Sequence, residues 1–228
     1  MKLLVNVILA LFISFSAYGQ WSVGPKVAYG TISQGEEKIR IIPNSDRIPM
    51  EMSFLGGNSV KSAGFMLYNN LGPGFLQVEA LGTAYSLQYS SREYGSDATK
   101  LLNENHVIIE LPVAAGFNVK NFKVGVGPVL EINVSKSSDL ETIEEYEDTA
   151  NPIDGGFQGL LGYKKGIFNI DLRYVYKFSG VVDGFGIGDD ILKLNKSANR
   201  LSLSVGMTFG NQSGLTDTVE EAQEIINF

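Results

Sequence analysis

Phe122-Lys123-Val124-Gly125-Val126-Gly127-Pro128-Val129-Leu130-Glu131-Ile132-Asn133-Val134 alternates apolar with small or polar residues almost without error. Phe122, Val124, Val126, Pro128, Leu130, Ile132 and Val134 fall on one face, and Lys123, Gly125, Gly127, Val129, Glu131 and Asn133 on the other. A period of two marks a strand whose two sides meet unlike surroundings. The alternation recurs along the chain. Trp21 to Tyr29, Val60 to Tyr68, Phe75 to Tyr89 and His106 to Val119 precede this stretch; Gly156 to Tyr163, Phe168 to Phe178 and Leu201 to Phe209 follow it. Within the third strand the apolar phase moves to Tyr85, Leu87 and Tyr89, which predicts a bulge near Gly82.

The connections between these strands sort into two kinds. Asn69 to Gly74, Lys120-Asn121 and Lys164-Lys165-Gly166 are tight turns, whereas residues 30–59, 90–105, 136–155 and 179–198 are long. Long and short connections that alternate along an up-and-down meander place every long loop at one end, the pattern of outer-membrane barrels. The first long loop holds Lys38 to Ile42 and Ile48 to Phe54 around Pro43-Asn44-Ser45-Asp46, which reads as an external hairpin or an extension of its neighbours.

Bulk properties narrow the class further. Residues 1–19 read as an export signal: Lys2 is the basic start, Leu3 to Phe15 the apolar run, and Ala17-Tyr18-Gly19 a small-x-small cleavage site. No later segment is a continuous apolar run of the roughly 20 residues a spanning helix needs. The formal charge of −7 argues against a nucleic-acid partner, which needs a basic face. The chain has no cysteine, so neither a disulfide framework nor a thiolate metal site is available.

An eight-stranded soluble calyx also alternates, but with apolar residues inside and polar residues outside. Three features favour the inverse polarity. The polar face of the later strands is rich in Gly, Ser, Asn and Thr, which suit a crowded lumen. Rings near strand ends, among them Trp21, Tyr29, Phe75, Tyr89, Phe117, Phe122, Phe168, Tyr176, Phe178 and Phe209, suit interfacial girdles. The long loops also lie on one side only. The expectation is an all-β, eight-stranded antiparallel up-and-down transmembrane β-barrel over residues 20–209, behind a leader at 1–19. A tail at 210–228, either a short helix that Asp217 would cap or a disordered terminus, lies on the periplasmic side.

Glu110-Leu111-Pro112, followed across a tight hairpin by Gly125-Val126-Gly127-Pro128, resembles the core signature of a small outer-membrane β-barrel family of Bacteroidota, the PorT-like group. Glu79, Asp171-Leu172-Arg173-Tyr174 and the closing strand Leu201 to Phe209 match the same pattern, whereas the tail beyond Phe209 departs from it. The resemblance implies a fold and an outer-membrane location, and no single activity.

Chemistry has few places to sit. The lumenal face carries Lys26, Glu79, Glu110, Lys123, Glu131, Asp171, Arg173 and Lys177. An eight-stranded barrel is just wide enough for its side chains to fill, so these charges are expected to pair in a structural network. His106 is the only histidine, expected near the rim, and no nucleophile elbow or H-E-x-x-H pattern accompanies it. The loop from Asp139 to Asp154 is acidic without EF-hand spacing. Gly184 to Asp190 imitates a phosphate loop with no following helix, and reads as a flexible external loop. The expectation is therefore a non-enzymatic barrel with no catalytic, metal or cofactor site. Its partners would be outer-membrane lipid, the barrel-assembly machinery and another envelope protein. The competing reading is a narrow, porin-like conduit or binding barrel for small solutes.

Overall fold

The computed structural model describes residues 20–33, 37–41, 50–93, 95, 97–142, 146–148, 152–178, 185–187, 190–192 and 199–210. The expected leader, the turn at Pro43 to Asp46 and the tail from Asn211 onward lie outside the described residues. Eight long strands follow one another: β1 (Gln20–Ser33), β2 (Val60–Leu71), β3 (Gly74–Glu93), β4 (Thr99–Val119), β5 (Phe122–Ser138), β6 (Ile153–Lys165), β7 (Phe168–Lys177) and β8 (Asn199–Met207). Each pairs antiparallel with the next. β8 pairs with β1 from Lys26↔Gly206 to Ser33↔Asn199, and Phe209–Gly210 extends that seam to Val23 and Ser22. The sheet therefore closes, and no barrel strand is left with an open edge, which hydrocarbon would not tolerate.

Side-chain polarity runs opposite to that of a soluble barrel. Val27, Phe65, Phe117, Val124, Leu172, Leu203 and Phe209 point outward and are exposed, as are most large apolar side chains of the strands. Lys26, Lys123, Glu131, Asp171 and Arg173 point inward and are buried. An apolar outside around a charged inside is stable only where lipid replaces water on the outer face, so the barrel is a transmembrane one.

The strands differ greatly in length. β7 has 10 residues, close to the ~9–11 that cross a bilayer. β3 has 20 and β4 has 21, so both run about ten residues past it at the long-loop end. Two further strands join this projection. Glu37–Ile41 and Met50–Gly57 form an antiparallel hairpin, and the second of them lies along β3 from Leu87 to Glu93. It continues the line of β2 after a break at Asn58-Ser59, where Asn58 N–H donates to Ser86 O. Met52, Phe54, Leu87, Tyr89 and Leu102 are buried on the inner side of this wall, with the Phe54 and Tyr89 rings edge to face at 5.4 Å.

Several sequence expectations are corrected here. No bulge occurs at Gly82: β3 stays in register with β2 from Leu71↔Gly74 to Lys61↔Ala84, and it pairs with β4 from Leu81↔Glu110 onward. What changes is the inner surface, which turns apolar at Leu81, Tyr85, Leu87 and Tyr89 where the strand leaves the bilayer. Tyr89 accordingly faces inward, and Phe75, at the short-turn end, is also buried inside, so neither stands in a lipid girdle. A real register shift falls in the β4–β5 ladder, where Val107 pairs with Ser135 but Ile108 with Asn133, leaving Val134 as the extra residue. His106 is not at a strand entrance, because β4 begins at Thr99. The supposedly flexible segment around Gly186 contributes Phe185–Ile187 and Asp190–Leu192 to a three-stranded sheet with Tyr146–Asp148 from the acidic loop. Asp139–Thr142, in that same loop, is a single 3-10 turn.

Candidate functional site in the barrel lumen

Strand tilt brings residues of alternate strands to one level inside a small barrel. Here that geometry builds a ring of alternating charge. Lys26 on β1 meets Glu79 on β3 at 2.8 Å and Asp171 on β7 at 2.7 Å. Lys123 on β5 meets Asp171 at 2.8 Å and donates to Gln77 Oε1 on β3 at 2.7 Å. Gln77 closes the circle by donating to Glu79. Cation and carboxylate thus follow each other around β1, β3, β5 and β7, with one amide as the joint. Each charge is desolvated, and each has an opposite charge in contact, the condition under which buried ions are tolerated.

Small residues make room for this ring. Gly162 stands in the same row as Lys123 and Asp171. Toward the short turns the ring rests on Tyr68 and Phe75, stacked with centroids 5.8 Å apart. The Lys123 ammonium lies 5.3 Å from the Tyr68 centroid and 5.8 Å from that of Phe75, a cation–π seat beside its contacts with Asp171, Gln77 and Asn169. Tyr68 O–H donates to Asn118 Oδ1 at 3.1 Å, and Asn169 reaches Lys123 and Thr208.

A second layer lies toward the long loops. Arg200 on β8 meets Glu110 on β4 at 2.8 Å and also bonds Glu131 on β5. Lys177 on β7 meets Glu131 at 2.8 Å and Asp154 on β6 at 3.1 Å. Arg173 on β7 reaches across to Glu79 and links the two layers. Above them, the Arg200 guanidinium stands 5.7 Å over the Tyr85 ring, and Tyr85 stacks on His106 at 4.9 Å. His106 Nε2 is 2.6 Å from Glu104 Oε1, which Lys136 also approaches at 3.3 Å. The wall's apolar core follows.

All eight lumenal residues singled out from the sequence are buried, and all eight belong to these two layers. Sequence reasoning missed Arg200, Asp154, Glu104 and Lys136. Each lies within two residues of an end of its assigned strand. For three of them the parity was already visible: Arg200 precedes Ser202 and Ser204, Asp154 precedes Gly156, and Glu104 precedes His106, all on inward faces. Lys136 was not recoverable that way, because Val134 is an extra residue that reverses the phase. His106 meets the Glu104 carboxylate and the Tyr85 ring.

No protein-family model matches the chain, and neither does any curated protein. Among solved structures it is similar to the crystal structure of the outer membrane protein OprG from Pseudomonas aeruginosa, at 10% identity and a TM-score of 0.48, over 85% of this chain and 97% of that one. It is also similar to the translocator domain of the autotransporter NalP from Neisseria meningitidis, at 13% identity and a TM-score of 0.31, over 91% of this chain and 94% of that one.

Proposed function

We propose that this chain is a non-enzymatic integral outer-membrane β-barrel protein that acts by presenting its projecting wall to another envelope protein. The observation that carries the reading is the filled lumen: two ion-paired layers span it, and an apolar core lies above them. A barrel built to pass solutes keeps a wetted bore, and this one commits its interior side chains to each other. What it offers outside includes a paired sheet built from β3, β4 and the hairpin Glu37–Ile41/Met50–Gly57. The Glu110-Leu111-Pro112 and Gly125-Val126-Gly127-Pro128 motifs favour the PorT-like group as its family. In this reading the leader is cleaved, the barrel-assembly machinery inserts the mature chain, and outer-membrane lipid covers the apolar belt.

The test uses the full chain in its native envelope, carrying an affinity tag, with and without cross-linking. An envelope protein should co-purify with the wild type and be lost when residues 37–57 are replaced by a short turn. If nothing depends on the hairpin, and the purified barrel carries large, steady ohmic current in planar bilayers, the conduit reading takes its place.

A further inference from the structure

The short-turn end of the barrel carries lysines and no acid. Lys120 stands in the β4–β5 turn, and Lys164 and Lys165 stand in the β6–β7 turn. These two turns are tied together, because Lys164 N–H donates to Asn121 O at 2.7 Å. Lys120 and Lys165 are exposed, whereas Lys164 continues the inward row of Leu160 and Gly162 and is half-buried. Its ammonium lies 5.1 Å from the Tyr68 centroid, and that of Lys123 lies 5.3 Å from the same ring. Positive charge is thus gathered both at the rim and just inside it. No acidic residue occurs in 20–25, 66–76, 114–122, 162–169 or 206–210, the stretches that form this end. The carboxylates one level further in, Glu79 and Asp171, are already held by Lys26, Lys123 and Arg173.

The chain leaves the barrel at the same place. Gly210 pairs with Ser22, and Ser22 pairs in turn with Tyr68, whose ring Lys164 covers. Residues 211–228 carry four carboxylates, Asp217, Glu220, Glu221 and Glu224, and no lysine or arginine. Their spacing of i, i+3, i+4 and i+7 is the one that aligns side chains along one stripe of a helix. Asp217 follows Gly210 by seven residues, a span of up to about 23 Å in an extended chain. Eight strands about 4.8 Å apart and tilted about 40° enclose a mouth roughly 16 Å wide. The carboxylates can therefore reach every lysine of the rim.

We propose that residues 211–228 fold back under the barrel and seat their acidic stripe on Lys120, Lys164 and Lys165, covering the short-turn mouth. A single exposed ion pair is weak. Here several form together, and the tether through Gly210 holds the tail at an effective concentration on the order of millimolar. Seating also offsets the mutual repulsion of three ammoniums fixed on two adjoining turns. The docking is independent of what the projecting wall binds.

The chain has no cysteine, so an introduced pair reports contact directly. Asn121→Cys and Gln223→Cys put one thiol on the rim and one in the tail, and leave every lysine and carboxylate in place. The full-length double variant is folded into phosphatidylcholine vesicles, with heat-modifiable gel mobility as the check on folding. Disulfide formation under mild oxidation is then timed; Lys165→Cys replaces Asn121→Cys if the turn variant folds poorly. Cross-linking should be fast, and about 1 M potassium chloride should slow it about tenfold, because charges then act over only ~3 Å. Asp217→Asn, Glu220→Gln, Glu221→Gln and Glu224→Gln together should slow it as much. Lys120→Glu with Lys165→Glu should do the same, and adding Glu221→Lys with Glu224→Lys should restore the rate. A tail that merely drifts near the mouth cross-links at one rate under all these conditions, and that result overturns the proposal. Cross-linking that is lost when phosphatidylglycerol is added to the vesicles also overturns it, and assigns the rim to lipid headgroups.

Discussion

Gly162 and Lys123 face each other across the β5–β6 ladder, and the lysine stem fills the space that a side chain on the glycine would take. A Cβ added to Gly162 would meet Lys123 Cε at 2.3 Å and Asp171 Oδ1 at 2.3 Å. The ion ring therefore depends on an absence. Gly162→Ala should lose about 1–3 kcal/mol, the usual cost of overpacking, because both partners are pinned. Gly159→Ala, where an added Cβ meets nothing within 4 Å, should change stability by less than about 0.5 kcal/mol. Urea-dependent folding into lipid vesicles distinguishes the two.

Breaking the ring from the carboxylate side should cost more. Asp171→Asn leaves Lys26 and Lys123 buried beside a neutral amide, and removal of one partner from a buried pair costs about 3–5 kcal/mol. Lys123→Met alone should also destabilise. The double variant should lose clearly less than the sum of the two, since the second change removes a charge that the first has stranded. Additive losses would mean that the lysine and aspartate do not act as a pair.

The polarity of the wall gives a third outcome. Leu172 points outward at mid-strand, 43% exposed, so Leu172→Arg should impair bilayer folding by roughly 2–4 kcal/mol. Ser204, on the neighbouring strand β8, points inward and donates to Asp171 O at 3.2 Å. Ser204→Arg should fail through crowding instead, and a shorter intruder, Ser204→Ala, should be nearly neutral. Normal vesicle folding of Leu172→Arg would refute a lipid-facing position.

Closure predicts an asymmetry at the C-terminal end. Deleting residues 214–228 should leave heat-modifiable folding intact. Deleting from Leu201 onward should abolish it, because β1 then loses its partner from Thr31↔Leu201 to Val23↔Phe209 and two open edges face lipid. Loss of folding in the shorter deletion would give the tail a part in assembly.

The wall should come apart separately from the barrel. Phe54 is buried against Tyr89, and Phe54→Ala should cost about 3–5 kcal/mol of local stability. Protease added outside intact cells should then cut within the hairpin at a lower dose, with barrel mobility on gels unchanged.

The membrane-embedded part of this fold is written plainly in the chain, because lipid and lumen impose opposite demands on successive residues. Leu201 to Phe209 alternates without error, and Phe168 to Phe178 does so but for Val175, which points inward. Above the bilayer that contrast disappears. Tyr85, Leu87 and Tyr89 point inward like Gln77 and Glu79 below them, yet they are apolar, so an unchanged phase looks like a shifted one. The pairing of Met50–Gly57 with β3 was illegible for a different reason: periodicity identifies a strand but not its neighbour. Which acid meets which base has the same origin. Lys26 and Asp171 are 145 residues apart in sequence, and only strand order and tilt bring them within hydrogen-bond distance.

The length mismatch between β3–β4 and the strands on the other side of the barrel has a mechanical consequence. A partner seated on the projecting sheet would pull along the strands, while the ladder bonds between them run crosswise. A load in that direction is shared by every rung of the β3–β4 pairing from Arg92↔Thr99 downward, and the rungs must yield together, not one by one. Loops of the same reach would stretch first and transmit force late. This wall would carry a tug at the cell surface directly into the belt anchored in lipid.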